Sequence, residues 1–216
     1  MYIPRYHQQN DRDAISTLID AYPLGAWALA GRDGLIANHV PFFLDRTKGQ
    51  FGTLVGHVSR ANTVWQELGD GKPSVVMFQG PQAYITPNWY PGKAEHGKVV
   101  PTWNYAVAHA HGVARAVEDR DWLLAILNQL TTVHEANQSS PWRVSQAPSD
   151  YIDKLLRAIV GIEIPIDRLE GKLKVSQDED MQDRLGTVAG LQNASGDSTK
   201  ALAELVQDAI NNFSAE

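Results

Sequence analysis

His96–Gly112 reads HGKVVPTWNYAVAHAHG, and the fold turns on its second half. From Trp103 onward the side chains alternate. Tyr105, Val107, His109, His111, Val113, Arg115 and Val117 take one side, and Ala106, Ala108, Ala110, Gly112, Ala114 and Ala116 take the other. Period two is the pattern of a β-strand. A side made only of Ala and Gly lets another layer approach closely, whether a helix, a second subunit or a flat ligand. His109 and His111 lie two apart on one strand face and can reach one ion, with His96 in the loop before them. A zinc site needs three or four ligands with support behind them, and no HExxH or neighbouring carboxylate completes the set, so no metal is expected.

Working outward, the segment before the strand, Asn88 to Thr102, is rich in Gly and Pro. It is long for a plain connector, which marks it as a functional or interface loop. Further upstream, NDRDAISTLIDAYP predicts a short helix capped by Asn10 or Asp11, with Ile15, Leu18, Ile19 and Tyr22 at helical spacing. Two apolar runs around Asp33-Gly34 predict a hairpin. Thr47–Gly49 turns the chain into QFGTLVGHVS. SVVMFQG and QAYITP, on either side of Gly80-Pro81, read as strands. Downstream, Trp122, Leu123, Ile126, Leu127, Leu130 and Val133 form one helical stripe. Ser149 or Asp150 is expected to cap a second helix reaching about Arg157. AIVGIEIPI reads as a strand, with Pro165 marking an edge or exit. Two acidic amphipathic helices flank NASGDS. Strands at regular spacing, mostly hairpin-linked, predict an antiparallel barrel with helices at its margins.

Composition narrows the function. The chain has 216 residues, no cysteine and a net charge of −6. Disulfides and thiolate metal sites are excluded. The molecule as a whole does not attract nucleic acid, and no helix-turn-helix with a basic second helix is present. MYIPRYHQQNDRD lacks the apolar core of a signal peptide. No apolar run approaches the ~20 residues of a membrane span. The expectation is a cytoplasmic protein with no membrane partner. G-x-S-x-G is absent, and GDGKPS lacks the ending of a phosphate loop. GHVSRANTVW is the better phosphate candidate. His57 and Ser59 share a strand face, Arg60 stands at the strand end, and Asn62 can cap the helix that carries Trp65. The competing reading is an ordinary strand–helix corner with a surface Arg.

Taken in order, MYIP, HVSRAN, VVMFQGPQAYITPNWYPGK, VPTWNYAVAHAHG, IVGIEIPI and KVSQD resemble the PaiB-like proteins, described as FMN-binding negative transcriptional regulators. The likeness runs from Met1 to about Leu185. It implies a mainly β fold with helices (α+β): a split antiparallel β-barrel of the FMN-binding, flavin-reductase-like type with peripheral and C-terminal helices. It implies a barrel domain over residues 1–177 and a helical extension over 178–216 packed on the barrel or the dimer. It further implies a homodimer, FMN near the dimer interface, and a possible DNA partner. By position, HVSRAN offers His57, Ser59, Arg60 and Asn62 to the phosphate. ANHVP offers Asn38 and His39 to the isoalloxazine. MFQGP offers Gln79, and PTWNY offers Trp103 and Asn104, reaching a flavin held mainly by the other subunit. Lys174, Ser176 and Gln177 match a Lys-Leu-Ser-Gln-Asn run. That run departs from the family at Asp178, followed by Glu179, which adds negative charge unfavourable beside a phosphate. No catalytic residue is implied, and the protein reads as a regulator. The alternative on the same fold is an FMN-dependent oxidoreductase, either a flavin reductase or pyridoxamine-phosphate-oxidase-like.

Overall fold

A computed structural model describes residues 1–213 of the chain. Eight strands form one antiparallel system in the order β3-β2-β6-β7-β8-β5-β4, with β1 paired to β8. They are β1 (Gln8–Gln9), β2 (Leu24–Gly31), β3 (Gly34–Pro41), β4 (Phe43–Asp45), β5 (Thr53–Ser59), β6 (Lys72–Ile85), β7 (Thr102–Val117) and β8 (Ile159–Lys174). The helices are α1 (Arg12–Ala21), α2 (Gly92–Glu95), α3 (Arg120–Glu135), α4 (Ser149–Arg157), α5 (Met181–Asn193) and α6 (Asp197–Phe213). The chain divides into two compact units, and β6, β7 and β8 contribute to both.

The unit formed by Pro23–Met77 and Ala110–Leu169 begins with the predicted hairpin. Gly31 pairs with Gly34, and Gly34 adopts a φ of 131°, which a side chain would resist. Trp27 is fully buried and meets Phe42 edge-on at 6.5 Å. Asp119 caps α3, accepting from the Trp122 N–H at 2.7 Å. Leu123, Ile126 and Leu130 of the predicted stripe are buried, whereas Val133 is exposed where the stripe runs out. Ile126 and Leu130 pack with Val55, Phe43 and Trp122. Two expectations are corrected. Pro148, not Ser149 or Asp150, occupies the cap of α4 and makes no side-chain cap bond. Pro165 does not end its strand. β8 continues to Lys174, and the proline falls at the last β5–β8 register pair, Thr53 with Pro165, where a missing donor disturbs the ladder least.

The other unit comprises Met1–Tyr22, Phe78–His109 and Glu170 onward. Asp11 caps α1, and Ile15 and Ile19 are buried. SVVMFQG and QAYITP are one strand, since β6 passes through Gly80-Pro81 unbroken. The two acidic helices form as predicted and share a core with the sheet. Leu191, Leu202, Val206 and Ile210 pack with Ala83, Ile85, Tyr90 and Val175. The Asn88–Thr102 loop spends its aromatics inside the chain. Tyr90 is buried in that core, and Trp89 covers Gly186 and Gly190 so closely that an added Cβ would lie 2.0 Å from its carbonyl oxygen and 2.1 Å from its ring.

β7 shows the predicted alternation. Ala106, Ala108, Ala110, Gly112 and Ala114 are buried, and His109 and His111 lie half-buried on the other face. Helix α1 supplies part of the close layer. A Cβ on Gly80 would sit 2.5 Å from Leu18 of α1 and 3.2 Å from the Ala106 carbonyl. In the other unit a Cβ on Gly112 would lie 2.1 Å from the Pro165 carbonyl oxygen. That neighbour is backbone and cannot swing aside. Gly112→Ala is therefore expected to destabilise the protein by about 1–3 kcal/mol or more, read from denaturant unfolding midpoints at unchanged slope. A midpoint equal to that of the unaltered chain would contradict the packing.

Candidate functional site

The corner after β5 carries the phosphate candidates. Asn62 accepts from the Val64 N–H at 3.1 Å, and so does cap the segment bearing Trp65. That segment is a five-residue 3-10 turn, Thr63–Glu67, rather than an α-helix. A single turn carries a much smaller dipole than a full helix, so side chains carry more of any attraction for an anion at this corner. The Ser59 hydroxyl accepts from the Ala61 N–H at 3.3 Å and keeps its own proton to donate. Asn62 donates from its other side to Asn38 at 2.7 Å, joining two of the nominated residues across β3 and the corner. His39, the neighbour of Asn38 on β3, is exposed.

Arg60 is the most engaged residue of the set. Its guanidinium donates to Glu118 Oε2 at 2.6 Å, to the Arg157 carbonyl at 2.9 Å and to the Ile159 carbonyl at 3.2 Å. It lies 5.5 Å from the centre of the Trp65 ring. The Trp65 indole N–H in turn donates to the Arg60 carbonyl. Arg60 thus ties the end of β5 to the α4–β8 junction. Three of its five N–H groups are used, and about a third of the side chain is exposed. His57, two residues earlier on β5, is half-buried with its Nδ1 unpaired, and burial holds its pKa below the ordinary 6.5. It is neutral at physiological pH.

The remaining nominees lie in the other unit. Gln79 is exposed on β6. Trp103 is exposed and meets Tyr84 edge-on at 6.2 Å. Lys172 stands 5.2 Å over the Tyr105 ring, and Lys174 donates to the Thr102 hydroxyl and to the Trp103 carbonyl at 2.9 Å. Asn104 is fully buried. Its amide donates to Ser176 at 2.8 Å, while its Oδ1 has no partner. Ser176 is the one described non-glycine residue with positive φ, at 63°. Gln177 closes its own turn, accepting from the Val175 N–H and donating to the Leu173 carbonyl. The acidic departure that follows is built into the same turn. Arg184 donates to the carbonyls of Gln177 and Glu179. Burial, and then the neighbouring Asp178 and Asp183, raise the Glu179 carboxyl above its ordinary value.

The structure therefore groups Asn38, Ser59, Arg60 and Asn62 in one unit, and Trp103, Asn104, Lys174 and Ser176 in the other. Sequence reading overlooked Glu118, Tyr84 and Tyr105. Tyr84 and Tyr105 carried a usable signal, because strand alternation puts aromatics on the Trp103 face of neighbouring β6 and of β7. Glu118 carried none, being 58 residues from the arginine it holds.

Comparison with solved structures shows the fold class. The chain matches a flavocytochrome from Azotobacter vinelandii with a TM-score of 0.60 at 13% identity, covering 85% of this chain and 78% of that one. It matches a FAD and heme binding protein from Mycobacterium smegmatis with a TM-score of 0.58 at 20% identity, covering 78% and 73%. The class is α+β, the split antiparallel barrel with C-terminal helices, as expected. Residues 1–168 match the family described as "Putative FMN-binding domain", and the chain belongs to that family. Among its relatives are an uncharacterized protein of Emericella nidulans, 35% identical over 96% of this chain and 97% of that protein. Another is the protease synthase and sporulation protein PAI 2 of Bacillus subtilis, 28% identical over 97% and 98%. The PaiB-like resemblance is thereby established. No helix among the described residues is long and apolar enough to cross a membrane.

Two measurements follow from this geometry. Ser176→Ala strands the buried Asn104 amide and is expected to cost about 1–3 kcal/mol in denaturant unfolding; an unchanged midpoint would show that the bond contributes nothing. The lowered pKa of His57 means that the unfolded chain takes up its proton first. Stability should therefore fall as pH drops below about 6.5, and the fall should be shallower in His57→Gln. His7, also lowered by burial, adds a slope of the same sign that this variant leaves in place.

Proposed function

We propose that the protein binds FMN, works as a homodimer, and serves as a negative regulator of transcription rather than as an enzyme. The family match over residues 1–168 is the observation that carries the flavin reading. The donors present fit the group. Arg60 has unused N–H groups, Ser59 has a free hydroxyl proton, and Asn62 lies beside them, which together suit a phosphate dianion. The Asn38 side chain, bonded to Asn62, adds a further polar group at that corner. Trp103 beside Tyr84 offers an exposed aromatic edge to the flavin of the partner subunit. Asn104, the next residue on the strand, is buried and held by Ser176. Lys174, Ser176 and Gln177 lie beyond the matched residues and bond within their own turn, so they serve to brace Trp103 and Asn104. Bound flavin supplies redox chemistry of its own, and the protein's part is to hold and orient it.

The regulatory half rests on the likeness to PAI 2 and to the PaiB-like proteins. A chain of net charge −6 needs a local basic surface to meet DNA, and its binding should weaken steeply with salt. The expected outcomes are an absorption band near about 450 nm in the purified protein, a dimer by light scattering at micromolar concentration, and retardation of a promoter fragment at physiological salt. Turnover of NAD(P)H without any effect on the fragment would replace the regulator with an FMN-dependent oxidoreductase. For the phosphate contact, Arg60→Ala should weaken FMN by about 10- to 150-fold while leaving riboflavin unchanged. Equal weakening of both flavins would make Arg60 purely a structural clamp.

A further inference from the structure

We propose that Glu118 sets the affinity for phosphorylated flavin by competing with the phosphate for Arg60. This inference rests on the FMN reading above. It starts from a charge that a phosphate site would not be expected to hold. Glu118 Oε2 accepts from Arg60 Nη1 at 2.6 Å, and both side chains remain partly exposed, at 54% and 37%. The carboxylate takes Nη1, and the backbone carbonyls of Arg157 and Ile159 take Nε and Nη2. Those carbonyl bonds keep the guanidinium in place whether or not Glu118 is bound. The carboxylate is the one partner of the three that can leave by a side-chain rotation.

Glu118 has somewhere to go. It follows the end of β7 and immediately precedes Asp119, the cap of the 16-residue helix α3, so its charge stays favourable near the helix start after it releases the arginine. A dianion arriving at Arg60 gains the vacated N–H, the Ser59 hydroxyl and relief from a like charge. Riboflavin has no phosphate and gains none of these. Glu118 is thus a residue that discriminates between phosphorylated and unphosphorylated flavin, acting through Arg60.

The test is a set of fluorescence titrations of FMN and of riboflavin on the full chain, on Glu118→Gln, on Arg60→Ala and on the double variant, with thermal unfolding to show that each is folded. An exposed ion pair contributes little, so Glu118→Gln should tighten FMN by about two- to fivefold and leave riboflavin unmoved. In the Arg60→Ala background the same change should have no effect. Unchanged or weaker FMN binding in Glu118→Gln overturns the proposal, as does a parallel shift of both flavins. Tightening that survives the loss of Arg60 also overturns it. If the unaltered chain binds neither flavin, the FMN reading itself falls. If it binds FMN and only the Glu118 effect is missing, that reading stands and the competition alone is wrong.

Discussion

Between Ala106 and Ala114 the inward face of β7 offers nothing larger than a methyl group, and the packing around it follows from that limit. A strand so shallow brings its neighbours in until backbone meets backbone. Gly112 comes against the Pro165 carbonyl, and Gly80 fits between Leu18 and Ala106. The same exchange recurs elsewhere, with a glycine in one element and a large side chain seated on it from another. Trp122 of α3 lies on Gly161, Ile15 of α1 on Gly171, and Trp89 on Gly190. Interiors tolerate few voids, so small residues on the strands require bulky ones on the partners. Two of the tryptophans, Trp89 and Trp122, fill that role.

The features legible in the sequence were those written in a local period or a local turn. The alternation of β7, the stripe of α3, the Asp11 cap and the Gly31–Gly34 hairpin each lie within one short window, and each formed where expected. Pro81 and Pro165 misled because a proline reads as a break. In the structure β6 and β8 run straight through them, Pro165 standing where pairing with β5 ends. The seat of Trp89 was illegible for a different reason. Gly186 and Gly190, the glycines that receive it, lie about a hundred residues away on α5. No window contains both halves of that contact.

The candidate site was legible in residue type and not in partnership. Ser59, Arg60 and Asn62 were found from the chemistry a phosphate needs, and the structure does set them at one corner with Asn38. What the pattern could not show is that the corner is a 3-10 turn with a much smaller dipole than a full helix, or that Glu118 holds the arginine. Lys174, Ser176 and Gln177 had the right chemistry for an anion as well, yet each spends it on a neighbouring carbonyl, hydroxyl or amide.

The two groups of residues solve one physical problem in opposite ways. Around Ser176 the polar atoms are turned inward. Asn104 is sealed at 0% exposure, Ser176 takes a left-handed φ, and burial pushes the Tyr90 hydroxyl up to about 12, which keeps it neutral. Buried polar groups of this kind are costly unless bonded, so a half-satisfied cluster fixes one conformation and little else. Around Arg60 the charge is left near water, its guanidinium bonded to two carbonyls and one carboxylate. In an exposed pair the desolvation cost is small and the pairing is weak. Such a pair suits reversible contact with a soluble anion better than it suits stability.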